Sequence, residues 1–452
     1  MNCRKCLLIA VLCFALPAMA QQSNKGNQLF NNKDLNGWEQ LGGKAKYTVE
    51  NGEIVGTTVA GEPNSFLATK VAYSDFILDL ELKVDSPLNS GIQIRSESNA
   101  AYRNGRVHGY QVEVDPSDRG WSGGLYDEER RGWLYPMEVN PAGKTAFKNG
   151  QWNKYHIECI GNSIRIWLNG QPTADVVDDM TPSGFIALQV HAIGKGETAG
   201  KHVRWRNIRI QTKNLKPAAT HAIYVVNLVP NLLSRQEKAQ GYSLLWDGKS
   251  TKGWVGAYKA IFPAKGWKIN NGEISIEPSN GAESTNGGDI VTINQYDAFE
   301  LKFDFKLTEG ANSGLKYFVT LSEKNKGSAI GLEYQVLDDE RHPDAKLGKN
   351  GNRTLASLYD LIPSKKPEKS LKKIGDWNQG MVRVYPDNRV EHWLNGFKVV
   401  EYKRGSAEFK SLVAGSKFKD FEGFGEAKKG HILLQDHGNQ VFFRSIKIKP
   451  LK

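Results

Sequence analysis

The sequence predicts an all-β protein: two tandem two-sheet sandwiches of the jelly-roll kind, joined through a short linker helix. Short runs that alternate apolar and charged residues recur along the chain between Gly, Asn, Asp and Pro, and almost no stretch has helical period. The chain also repeats itself. Asn89-Ser90-Gly91 returns as Asn312-Ser313-Gly314, Leu125-Tyr126-Asp127 as Leu358-Tyr359-Asp360, Trp167-Leu168-Asn169-Gly170 as Trp393-Leu394-Asn395-Gly396, and Leu188-Gln189-Val190-His191 as Leu434-Gln435-Asp436-His437, all in the same order. An offset of roughly two hundred residues is far too long for a solenoid or propeller blade, so it means two whole domains of one fold. At 452 residues each domain has enough chain to bury its own core.

In chain order, Met1–Ala20 reads as a secretory leader: Arg4 and Lys5, an apolar run from Leu7 to Leu16, then Ala18-Met19-Ala20. The run is too short to span a bilayer, which predicts an exported, secreted or periplasmic protein with no transmembrane segment. Cys159 is the one cysteine beyond the leader, so no disulfide staples the mature chain, and its strand-like setting predicts a buried small apolar residue. The first domain is placed at residues 27–212. Within it Phe76–Val84 alternates cleanly, as Phe299–Leu307 does in the second, marking strands with one wet face. Asn51-Gly52 and Asn169-Gly170, repeated as Asn271-Gly272 and Asn395-Gly396, fit two-residue type I′ hairpins. Trp152, Trp167, Trp377 and Trp393 are assigned to cores. Residues 213–241 form the linker, in which Ser234-Arg235-Gln236-Glu237 is a capping box opening one short helix at the domain junction. The second domain is placed at 242–452, closing on Arg444–Ile448 as the first closes on Arg206–Ile210.

The formal charge of +11 is not concentrated anywhere, so it describes a solvated basic surface and no nucleic-acid partner. Chemistry is concentrated on one strand of each half. Gln111, Glu113 and Asp115 follow at period two, as do Glu333 and Gln335, with Asp338 just beyond. A solvated face tolerates Lys, Thr and Ser, whereas both copies hold carboxylates and carboxamides, which suit hydroxyl-rich ligands. Trp121, Tyr126 and Trp133 stand in one loop-rich stretch among arginines, where aromatic faces stack on sugar rings. Gln189 and Gln435 share strand faces with His191 and His437. Arg95 and Lys316 are candidate cations near the same surfaces. The run Asp338, Asp339, Asp344 reads as a turn around Pro343, since its spacing matches no calcium loop.

The second half resembles the 3-keto-disaccharide hydrolase domain family, a concanavalin-like jelly roll. The resemblance rests on Leu245-Trp246-Asp247-Gly248-Lys249, Glu333-Tyr334-Gln335-Val336-Leu337-Asp338-Asp339, His342-Pro343-Asp344-Ala345, Gly351-Asn352-Arg353-Thr354, Ser357-Leu358-Tyr359-Asp360, Glu391-His392-Trp393-Leu394-Asn395-Gly396 and Leu434-Gln435-Asp436-His437-Gly438. The first half resembles it too but lacks the His-Pro-Asp-Ala and Gly-Asn-Arg-Thr stretches, which predicts one catalytic and one binding domain, their order left open. The resemblance implies cleavage of glycosides already oxidised at C3. A ketone there acidifies the C2 proton, so a base removes it, the C1 oxygen leaves and water adds. For this chemistry Glu333 or His437 is expected as base, Asp338 in support, and Lys316 or Arg353 at the enolate. The expected first-half counterparts are Glu113, His191 and Arg95. Gln111, Asp115, Trp121, Tyr126, Trp133, Gln189, Gln335, Tyr359 and Gln435 are expected to bind the sugar. No metal ligand is assigned; a divalent cation in place of the cationic side chain is the alternative. The implied partners are a carbohydrate substrate and a sugar 3-dehydrogenase. The rival reading is a non-catalytic, lectin-like protein, and direct cleavage of unmodified glycosides by two carboxylates is the third.

Overall fold

The computed structural model describes residues 26–321 and 329–452, so the leader lies outside the described residues. Each half is a pair of packed antiparallel sheets. The first pairs a 9-stranded with a 7-stranded sheet, the second an 8-stranded with a 5-stranded sheet. In the smaller sheets the repeat is exact in order: Trp38–Gly42, Ser65–Thr69, Phe185–Val190, Ser90–Glu97 and His108–Val114 correspond to Trp254–Gly256, Ile290–Thr292, His431–Leu434, Asn312–Thr320 and Ile330–Leu337. The first domain then adds Leu125–Glu128 and Gly132–Tyr135 at the edge.

Alternation sets which side chains enter the core. In Phe76–Val84 every second residue, Phe76, Leu78, Leu80, Leu82 and Val84, is buried, and Ile77 and the charged residues between them are half-buried. In Phe299–Leu307 the charged residues Glu300, Lys302 and Asp304 are buried as well, because the linker lies across their face, where Lys302 Nζ donates to Val225 O at 2.9 Å. All four Asn-Gly pairs have positive φ at both positions, the backbone a type I′ hairpin needs. Cys159 is fully buried, and burial pushes its thiol up to about 12.

The linker is stitched to both halves. Val226–Asn227 pairs in parallel with Gln171–Val177 of the first domain. Ser234 Oγ accepts from Glu237 N at 3.1 Å while the Glu237 carboxylate accepts from Ser234 N at 2.9 Å, capping a helix at Arg235–Ala239. Glu237 also holds Lys447 of the second domain at 3.0 Å, a buried ion pair. A second helix, Ala407–Ala414, was not legible in the sequence. Its cap, Ser406, has Phe409 rather than Glu or Gln three residues on, so the capping-box signal is missing. Of the four core-assigned tryptophans only Trp393 is buried. Trp152, Trp167 and Trp377 are half-buried on the outer face of the large sheets, each under an arginine: Arg206 at 3.9 Å, Arg165 at 4.7 Å and Arg444 at 3.9 Å from the ring centres.

Candidate active site

The smaller sheet of the second domain has two unlike faces. Leu315, Tyr317, Leu332, Tyr334 and Val336 point into the core, so Gly314, Lys316, Glu333 and Gln335 occupy the other face, where the last three floor a cavity of 590 Å³. Lys316 and Glu333 are paired directly across neighbouring strands. The motif Asn312-Ser313-Gly314 prepares this floor. Ser313 Oγ ties the next strand by donating to Gln435 O at 2.8 Å, and Gly314 leaves room: a Cβ there would lie 2.8 Å from the Glu333 carboxyl carbon. Turned to suit its neighbours, the Gln335 amide nitrogen donates to Glu333 Oε1 and Ser313 O, both at 3.0 Å.

Burial pushes the Glu333 carboxyl up to about 7, while Lys316 and Lys417 hold it from rising further. Burial works against the Lys316 ammonium, yet Glu333, Asp289 and Glu283 keep it above its ordinary value, so it stays charged. Asp289 is raised by burial and eased by Lys316. Asp436 positions it: the Asp436 carboxylate accepts from Gly288 N at 2.9 Å, and Asp436 N donates to Asp289 Oδ1 at 2.8 Å. At the rim the rings of His342 and His437 stand edge-to-face, 5.8 Å apart, and burial with the neighbouring His437 depresses His342. Gln435 Oε1 and His437 Nδ1 are screened from solvent with no protein partner. Lys417, Phe418 and Phe421, on the chain that follows the helix Ala407–Ala414, form the opposite wall. A larger hollow of 690 Å³, lined by Asp297, Tyr385, Arg404, Lys410 and Lys428, has only exposed or half-buried charges.

Two expected catalytic residues have other work. Asp338 does not line the cavity: its carboxylate accepts from Gly310 N at 2.8 Å and Glu340 N at 3.1 Å, anchoring a loop. Arg353 is spent on Asp344 at 2.9 Å and Asp360 at 2.7 Å rather than standing free for an enolate. This pairing braces the wall, since Tyr359 Oη donates to Asp344 at 2.8 Å and Asp360 Oδ2 accepts from Lys417 N at 2.8 Å. Among the described residues no three His, Cys, Asp or Glu side chains are grouped to hold a metal ion.

In the first domain the strand register corrects the pairing of the halves. Gly91 faces Glu113, whereas Gly314 faces Gln335, so Glu113 occupies the place of Gln335 and Gln111 that of Glu333. The Lys316 position holds Gln93 and the Asp289 position Phe66. Glu113 is also raised to about 7, by burial, and accepts from Asn89 at 2.8 Å. Arg95 leaves the face altogether. It follows a bulge with φ 47, which turns its side chain inward to Ser74 O, Gly161 O and Asp75. Asp115 is bound by Ser117 N and by Arg119 at 2.7 Å. His191 Nδ1 bonds its neighbour Ala192 O at 2.7 Å. Trp121 is buried at the domain junction, 6.2 Å from Phe397 and under Lys369, so it is no sugar platform.

Comparison with known proteins gives this geometry a family. The profile of the 3-keto-alpha-glucoside-1,2-lyase-like domain matches residues 25–211 and 241–449. The chain belongs to that family. It is similar to the 3-keto-disaccharide hydrolase of Bacteroides thetaiotaomicron, 38% identical over 234 residues, which cover 47% of this chain and 79% of the relative. Among solved structures, a candidate glycosyl hydrolase from Parabacteroides distasonis is 34% identical with a TM-score of 0.43, covering 49% of this chain and 100% of that one. A carbohydrate-binding module from Bacillus subtilis is 16% identical with a TM-score of 0.28, covering 39% and 95%. In this lyase-like domain, sequence reasoning missed Glu283, Asp289, His342, Lys417, Phe418 and Phe421. Only His342 carried a signal, the family-like stretch His342-Pro343-Asp344-Ala345; the others reach the cavity from loops and an inserted segment that no period betrays.

Proposed function

We propose that the second lyase-like domain cleaves glycosides oxidised at C3. The observation that carries this is a buried carboxyl raised to about 7, Glu333, paired with a charged lysine, Lys316, on the floor of a cavity. Glu333 takes the C2 proton, the electron pair of that C–H bond moves into an enolate on the C3 oxygen, and Lys316 balances the new charge. The enolate collapses to a C1–C2 double bond as the C1–O bond breaks. His437, at the rim, hands a proton to the departing oxygen; water then adds its oxygen at C1 and gives a proton back to His437, while Glu333 returns its proton to C2. Gln435 Oε1, lacking a protein donor, fits a sugar hydroxyl that donates. Phe418 and Phe421 supply apolar surface against the ring face and exclude water.

A substrate with a C3 ketone calls for a separate, prior oxidation of the sugar, for which a sugar 3-dehydrogenase is the proposed partner, and Met1–Ala20 supports the proposal that this protein acts outside the cytoplasm. Mass spectrometry of exported protein starting at Gln21 checks that placement. The central test is Glu333→Gln assayed on a 3-keto-glucoside: turnover is expected to fall by about 10²- to 10⁴-fold, the range for removing a general base. Full activity in that variant removes the carboxylate from the mechanism.

A further inference from the structure

The first domain keeps the strand register of the second domain's floor and loses its Lys–Glu pair. Across its smaller sheet, Gln93 pairs with Gln111, Gln111 with Tyr126, and Tyr126 with Trp133. The corresponding row of the second domain is Lys316, Glu333 and Tyr359, the last reached through Tyr359 N, which donates to Glu333 O at 3.1 Å. The base and the cation are thus each replaced by a carboxamide. The amides form one chain: Ser96 Oγ donates to Gln93 Oε1 at 2.6 Å, Gln93 Nε2 to Gln111 Oε1 at 2.7 Å, and Gln111 Nε2 to Glu113 at 3.4 Å. Tyr126 and Trp133 meet at 5.1 Å at its end and are half-buried, with Asn89, Arg119 and His191 half-buried around them.

Two further observations point to a ligand. Gln189, fully buried on the next strand and level with Gly91 and Glu113, has neither its Nε2 nor its Oε1 bonded to any protein group. The wall is also built differently. In the second domain residues 404–430, with the helix Ala407–Ala414, bring Lys417, Phe418 and Phe421 over the floor, whereas the first domain makes the same connection with residues 178–184 alone. A cavity floored by a Lys–Glu pair suits chemistry, and a buried row of amides without that pair, ending in half-buried aromatic rings, suits binding.

We infer that the first domain is a carbohydrate-binding site for uncharged glycans and performs no cleavage, holding glycan close to the second. This rests on the reading that the second domain is catalytic, and the test separates the two. In full-length Glu333→Gln protein, turnover of a 3-keto-glucoside reports on the second domain, while tryptophan fluorescence and calorimetry during titration with maltose and cellobiose report on the first. Saturable binding is expected, weakened by 10-fold or more when Tyr126→Ala or Gln111→Ala is added, with thermal melts confirming that each variant is folded, and unchanged when Tyr359→Ala is added. Binding that follows Tyr359 instead, or no saturation with either sugar, overturns the inference. So does residual turnover in Glu333→Gln that disappears on adding Glu113→Gln, because the first domain would then be catalytic.

Discussion

At the scale of single residues, environment rather than residue type divides labour between the carboxylates. Glu333 and Asp338 lie in one short stretch, yet Glu333 is buried and raised to about 7, whereas backbone N–H groups hold Asp338 below its ordinary value against the cost of its burial. A base must be ionised to act, so kcat/KM is expected to fall as pH drops through about 7, with the proton going to Glu333. Lys316 favours the ionised carboxylate, and its removal in Lys316→Met therefore raises Glu333 further. The acidic limb of the pH profile should move to higher pH, and kcat should drop by about 10²- to 10³-fold through loss of the enolate's counter-charge. An unmoved limb would mean that another group sets it.

At the scale of elements, the paired strands are a ruler that places functional groups two residues apart on one face. A glycine in the neighbouring strand then decides how far a carboxylate can lean. In Gly314→Ala the atoms nearest the new Cβ all belong to the Glu333 side chain, the flexible end of which can move. The fold is expected to survive, with a melting temperature within a few degrees of wild type, while kcat falls on the order of 10²-fold because the base is displaced by about an ångström. Activity near wild type would show that the lean of Glu333 is not used. The same ruler explains why Arg95 is misleading in the sequence. Its spacing from Gln93 places it on the sugar-facing side, but one bulged residue reverses its direction.

At the scale of the whole molecule, the two domains form one body through the linker and through aromatic packing at their junction. Trp121 stacks edge-on with Trp133 at 4.3 Å and reaches Phe397 of the second domain, while Lys372 Nζ donates to Arg131 O at 3.1 Å. Truncating a buried tryptophan costs about 3–5 kcal/mol, so Trp121→Ala should lower the first domain's unfolding transition in calorimetry and separate it from that of the second. A single unshifted transition would mean that the junction carries no coupling.

Much of this architecture is local in origin and was therefore legible in the amino-acid order. Strand alternation, the Asn-Gly turns, the capping box at Ser234 and the repeat each depend on neighbours in sequence, and so did the short list of Glu333, His437 and Lys316. What the order of residues left open depends on contacts distant in sequence: which strand faces which, and with it the exchange of Glu113 for Gln111 as the partner of Glu333; the burial that raises one carboxyl and not another; and the inserted segment that walls only one of two similar floors. Periodicity reports the face on which a side chain lies, but register, burial and cover are properties of the packed chain, and in this protein those three separate the Lys316–Glu333 cavity of the second domain from the amide row of the first.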